Sequence, residues 1–175
     1  MVRTRARLLL ALLSCLLALL ALAAPDALAL AKPGQPMPAM KLPDANGQIH
    51  DLQAMTQGKV ALVVYWSVSC PHCQREMPHL LALAKRLEGN PFTMLLINTD
   101  GQAMGPAVAA YAVEHRLPGP LLMDVGPGDS VPFAEFFDII ATPGVLVFDR
   151  AGKLALAQEL AVDLDGVRRA IEAAF

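Results

Sequence analysis

KVALVVYW, residues 59–66, is an unbroken apolar and β-branched run, and it restricts the fold more than any other stretch of the chain. A strand with one wet face alternates apolar and polar side chains, whereas this one offers apolar groups to both sides. It therefore needs a packed layer on each face, as in a parallel or mixed sheet held between helices. Residues 92–100, FTMLLINTD, read as a second buried strand. Between the two, Met77, Leu80, Leu81, Ala84 and Leu87 recur at helical spacing, with Gly89-Asn90 behind them. Pro78 lies inside that helix, where a kink is expected.

The remaining elements follow from local signals. Pro106 suits a helix first turn, continued to Arg116, and residues 120–124 form a short strand before a Gly/Pro-rich loop at 126–130. A brief helix over 131–137 leads to a hairpin of strands 145–148 and 153–158, and Asp163 is placed to cap a last helix over 164–174. Upstream, the Pro-rich residues 32–43 read as extended, Asn46-Gly47 makes a turn, and residues 48–52 return as a strand. The order predicts an α/β domain: a central mixed sheet flanked by helices, with an N-terminal β-hairpin extension.

The N-terminus has a different character. Arg3, Arg5 and Arg7 precede a Leu/Ala run over residues 8–24, and Ala29-Leu30-Ala31 supplies small residues for cleavage. This is the pattern of a secretory signal peptide over residues 1–31, leaving a single domain over 32–175. The apolar run is also nearly long enough to remain as an uncut membrane anchor. Either way the arginines favour export of the body, to the periplasm. Without residues 1–31 the chain holds 11 basic and 15 acidic residues and no Lys/Arg cluster, which excludes nucleic acid as a natural partner.

Of three cysteines, Cys15 belongs to the leader, so the domain keeps only Cys70 and Cys73, in WSVSCPHC at 66–73. Three uses are open to such a pair. As a staple it would close a very short loop, which stabilises least. As half a zinc site it lacks a second pair, because His50, His79 and His115 are scattered. Two thiolates alone can still hold Cu(I), so a copper carrier without catalysis remains a reading. As an electron-carrying pair the residues are well set. Cys70 falls at the end of a strand and the start of a helix, where free amides and the helix dipole favour a thiolate. Pro71 suits the first turn, protonated His72 would add positive charge beside Cys70, and Cys73 would resolve a mixed disulfide one turn in. No separate cofactor is needed. Glu76, three residues beyond Cys73, shares its helix face and is either a proton acceptor for that thiol or a plain first-turn acid.

Residues 60–78 resemble the thioredoxin fold, and in particular its exported TlpA/ResA-like branch. There a buried strand meets a Trp, then x-x-x-Cys-x-x-Cys and x-x-Glu-x-Pro, matched here by Trp66, Cys70, Cys73, Glu76 and Pro78. The likeness extends to LPDANGQIHDL and ATPGVLVFDRAGKL and covers most of residues 34–175. It implies a redox-active Cys70–Cys73 disulfide, Glu76 in proton transfer, and Pro143 as a cis-proline after Thr142 that helps receive a client backbone. It implies protein disulfide clients such as apocytochrome c or copper-assembly proteins, with a membrane thiol reductase as electron donor. Two departures bear on direction. Val64 stands where thioredoxin proper has a buried Asp, and Pro71-His72 is the dipeptide of DsbA, a strong oxidant. The scaffold thus points to a reductant and the dipeptide toward an oxidant. A peroxidase of the peroxiredoxin kind is disfavoured, since no upstream Thr-x-x-Cys arrangement is present.

Overall fold

The computed structural model describes residues 31–175, so the predicted leader lies outside the described residues, save Ala31. Strand β3 (Val60–Trp66) is buried along its whole length and is the centre of a five-stranded mixed sheet in the order β5-β4-β3-β6-β7. It pairs in parallel with β4 (Phe92–Asn98), which pairs in parallel with β5 (Leu121–Met123). On its other side it pairs antiparallel with β6 (Gly144–Phe148), and β6 with the edge strand β7 (Leu154–Glu159).

The alternation of side chains along β3 divides the core in two. Val60, Leu62, Val64 and Trp66 face one layer, packed against α2 (Pro71–Arg86), α3 (Gly105–His115) and α5 (Leu164–Ala174) through Leu80, Val108 and Ile171. Ala61, Val63 and Tyr65 face the other layer, with Phe133 and Phe137 of α4 (Pro132–Phe137) and Leu52 of α1 (Leu52–Thr56). Each such buried aliphatic or aromatic side chain contributes about 1.5–3 kcal/mol, which is why the strand needs both layers.

Helix α2 runs through the exposed Pro78 to Arg86. Two local expectations are revised. Residue 52 leaves the returning strand and opens α1, where Asp51 caps the helix by accepting from the Ala54 amide at 3.1 Å. Asp163 stands at the start of α5 but gives no side-chain cap; its Oδ2 instead faces Arg169 at 3.5 Å.

The N-terminal extension is part of the core. Its first residues pair with the start of β7, the Gly34 amide donating to the Leu154 carbonyl at 2.7 Å and Met37 to Gly152 at 2.8 Å. Met37 and Leu42 then cross the second layer, and the hairpin of β1 (Lys41–Pro43) and β2 (Ile49–Asp51) reaches β5, where Asp44 bridges Leu122. Both sheet edges thus gain a partner over part of their length, which limits edge-to-edge association. Gly105 permits the close approach of this hairpin, since a Cβ there would lie 2.8 Å from the Ala45 carbonyl oxygen.

Asp44, 6% exposed, ties the hairpin loop together. Oδ1 accepts from the amides of Asn46 (2.8 Å) and Gln48 (3.0 Å), and Oδ2 lies 3.0 Å from His50 Nε2. Burial alone would push this carboxyl up, but His50 and the two amides together hold it below the usual carboxylate value. A carboxyl with a lowered folded pKa stabilises the fold above its unfolded value of 3.8 and loses that contribution as pH falls through the folded one. Asp44→Asn should therefore cost about 1–3 kcal/mol at neutral pH and flatten the loss of stability below pH ~4. Urea unfolding at a series of pH values tests this; parallel acid dependence in the two proteins would contradict it.

Candidate active site

The carboxyl ends of β3 and β4 form the floor of the site. Beyond Trp66 the chain turns through Ser67–Ser69, and Asp100, just past β4, draws that turn against the neighbouring strand. Its Oδ2 accepts from the Val68 amide and from Asn98 Nδ2, both at 2.8 Å, and its Oδ1 accepts from the Ser67 hydroxyl. Ser67 Oγ in turn accepts from the Ser69 amide at 3.1 Å, while the Asp100 amide donates to Asn98 Oδ1 at 2.8 Å. The Trp66 carbonyl is held by the Thr99 amide at 3.0 Å. The two residues before Cys70 are thereby fixed to the sheet.

Cys70 is the N-cap of α2, and its Sγ accepts from the Cys73 amide at 3.1 Å. Pro71 occupies the first turn, where a missing N–H costs no hydrogen bond. Cys70 is half-buried and Cys73 is 2% exposed, and the two form a disulfide with Cα atoms 5.2 Å apart. Cys70 is thus the less buried member of the pair.

His72 is exposed, and its Nδ1 lies 2.8 Å from Arg75 Nη2. An arginine can only donate, so this contact requires Nδ1 to be unprotonated. Arg75, a residue without a signal of its own in the sequence, thus places a guanidinium beside the first turn. Glu76 is half-buried on the turn after Cys73, and its carboxylate makes no hydrogen bond or ion pair to another described residue. Trp66 is buried, its ring 5.5 Å from that of Tyr111, and its indole N–H has no partner among the described residues.

The Thr142–Pro143 peptide is cis. Gly144 pairs with Tyr65, so Pro143 lies one step further toward the end of the sheet that carries Trp66 and the cysteine turn. Gly144 also allows that turn of chain to settle on β3, since a Cβ there would meet Tyr65 Cβ at 3.2 Å and Ile139 at 3.3 Å. A second cis bond, Gly119–Pro120, has no counterpart in the sequence reading.

Two further carboxylates support this end of the molecule. Asp124, 1% exposed, accepts from the amides of Phe133 (2.8 Å) and Ala134 (3.0 Å) at the start of α4; burial pushes it up, the two amides acting against that. Glu159, at the end of β7, accepts from the amides of Ile140 and Ala141. Burial likewise pushes up the Tyr65 phenol, which donates to Thr99 Oγ1 at 2.8 Å. Among the described residues no group of three or more His, Cys, Asp and Glu side chains is arranged to hold a metal ion, and no helix is long and apolar enough to cross a membrane.

Comparison with known proteins agrees with this geometry. The chain is 26% identical over 97 residues to the thiol-disulfide oxidoreductase ResA of Halalkalibacterium halodurans, a match covering 55% of this chain and 53% of the relative. It thus spans about half the length of that relative. Among solved structures it is similar to the thioredoxin domain of a thiol-disulfide oxidoreductase from Bacteroides vulgatus (TM-score 0.66, 25% identity, 80% of this chain and 98% of that one). A thiol:disulfide interchange protein of the thioredoxin family from Chlorobium tepidum shares the fold at TM-score 0.66 and 23% identity, over 82% of this chain and 97% of that one. The fold is therefore thioredoxin-like, and since residues 33–157 match the AhpC/TSA family, the chain belongs to that family.

Proposed function

We propose that the protein is an exported thiol–disulfide oxidoreductase that passes electrons to protein disulfides through Cys70 and Cys73. The observation that carries this reading is the asymmetry of the pair: a half-buried cysteine capping a helix, joined to a buried one three residues on. The name of the ResA relative supports it.

In the reduced protein, the Cys70 thiolate attacks one sulfur of a client disulfide, and the other client sulfur leaves and takes up a proton. Cys73, deprotonated with Glu76 as acceptor, then attacks Cys70 Sγ. The second client thiol is released and the Cys70–Cys73 disulfide remains. Two electrons and two protons have moved to the client, so a dithiol donor must restore the pair, for which a membrane thiol reductase is suited. Thr142 and Pro143, at the same end of the sheet, receive the client backbone, Trp66 packs beneath the cysteine turn, and Pro71 and His72 tune the thiol. Apocytochrome c and copper-site assembly proteins are the clients the reading favours, with the body outside the cytoplasm and the N-terminal segment as leader or anchor.

The opposite direction, a disulfide-forming oxidant of the periplasm, is favoured by one feature, the Pro71-His72 dipeptide. The same residues then run the exchange in reverse.

Cys70→Ser should abolish insulin reduction, and retained turnover would refute the nucleophile. Cys73→Ser should accumulate mixed disulfides with clients, visible on non-reducing gels; their absence would count against the resolving role. Asp100→Ala, which frees the Val68 amide and the Ser67 hydroxyl, should cost about 1–3 kcal/mol of stability and slow insulin reduction. Thermal unfolding and turnover measured together check it, and a variant matching the parent in both would remove Asp100 from the support of the site.

A further inference from the structure

We propose that the end of edge strand β7 selects the client: Glu159 and Leu160 lock the loop ahead of Pro143, so that Ile140 and Leu160 form an apolar ledge for an extended segment with a bulky apolar residue beside its disulfide cysteine. The inference rests on the oxidoreductase reading and adds the substrate class.

The loop is braced from two directions. Glu159 Oε2 accepts from two successive amides, Ile140 at 3.1 Å and Ala141 at 2.9 Å. The Leu160 amide donates to the Pro143 carbonyl at 2.9 Å, with Leu160 itself at φ 63°, a conformation that a side chain of this kind seldom adopts. Such bracing would ordinarily serve packing, yet the two side chains it orients join neither half of the core. Ile140 is 84% exposed and Leu160 54%, whereas the adjacent Ile139 packs inward. Exposed apolar side chains on a fixed backbone suit recognition, because little mobility remains to be lost on binding.

The occupant follows from position. The ledge is continuous with Thr142, whose N–H and C=O form no hydrogen bond to another described residue, at the sheet end that carries the cysteine turn. An extended backbone can pair with such an open edge. Alternate side chains of that strand then point to one side, where one meets Ile140. Glu159 is a positioning residue here: both amides share one of its oxygens, and it acts through the loop.

The test uses the reduced full chain and two synthetic peptides, each with one internal disulfide, differing only in Leu or Ser before the first cysteine. The parent protein should show a KM about fivefold lower for the Leu peptide, the scale expected from partial burial of one aliphatic side chain, with similar kcat for both. Ile140→Ser, a change at an exposed position, should erase the difference by raising KM for the Leu peptide. Glu159→Ala should do the same, and Glu159→Gln, which keeps a carbonyl acceptor, should restore it. A purely structural Glu159 would instead lower the melting temperature and weaken both peptides equally. Equal KM values in the parent, or a preference that survives Ile140→Ser, would overturn the inference and leave the oxidoreductase reading intact. Exchange with neither peptide nor a small aromatic disulfide would sink both.

Discussion

The contact on which the site depends is the hydrogen bond from the Cys73 amide to the sulfur of Cys70 at the start of α2. An unpaired amide of a helix first turn meets the one side chain whose chemistry benefits from partial positive charge. The bond forms only if the sulfur arrives at the helix start at the correct height and angle. That is set by β3, which is buried on both faces, and by the turn that Asp100 ties to β4. The rest of the fold serves largely to hold these two supports still.

The same end of the sheet gathers what an exchange reaction needs. The carboxyl ends of the parallel strands deliver the cysteine turn and Asp100, while the antiparallel pair β6 and β7 delivers Pro143 and Glu159. The mixed sheet is thus functional: an antiparallel strand beside β3 brings its amino end to the carboxyl end of its neighbour, and the loop before it lands beside the helix start. The N-terminal extension works from the other side, crossing the second layer and occupying part of each sheet edge.

How much could be read from the chain depended on the range of the interaction. Residues 59–66 announced a doubly buried strand through composition alone, and the cysteines, Pro71 and the helical spacing of Met77, Leu80 and Ala84 lay within a few turns of each other. Helix α1 has five residues, too few for a helical period to appear; the local pattern assigns its first residue, Leu52, to the strand before it and the rest to no element. The contacts of Asp100 with Ser67 and of Glu159 with Ile140 join residues 33 and 19 positions apart, and no local pattern marks either carboxylate. Asp163 carried the right local signal for a cap, but its carboxylate faces Arg169 instead. Arg75 carried no signal of its own, and its contact with His72 became evident from geometry.

The central claim is that backbone amides at the head of α2 stabilise the Cys70 thiolate once the disulfide is reduced. The rate of iodoacetamide alkylation of Cys70 in the reduced full chain, followed against pH, tests it directly. The account predicts a midpoint at least one pH unit below the value of about 8.5 for a free cysteine, with alkylation of the buried Cys73 much slower. A midpoint equal to that of free cysteine, or equal reactivity of the two thiols, would contradict it.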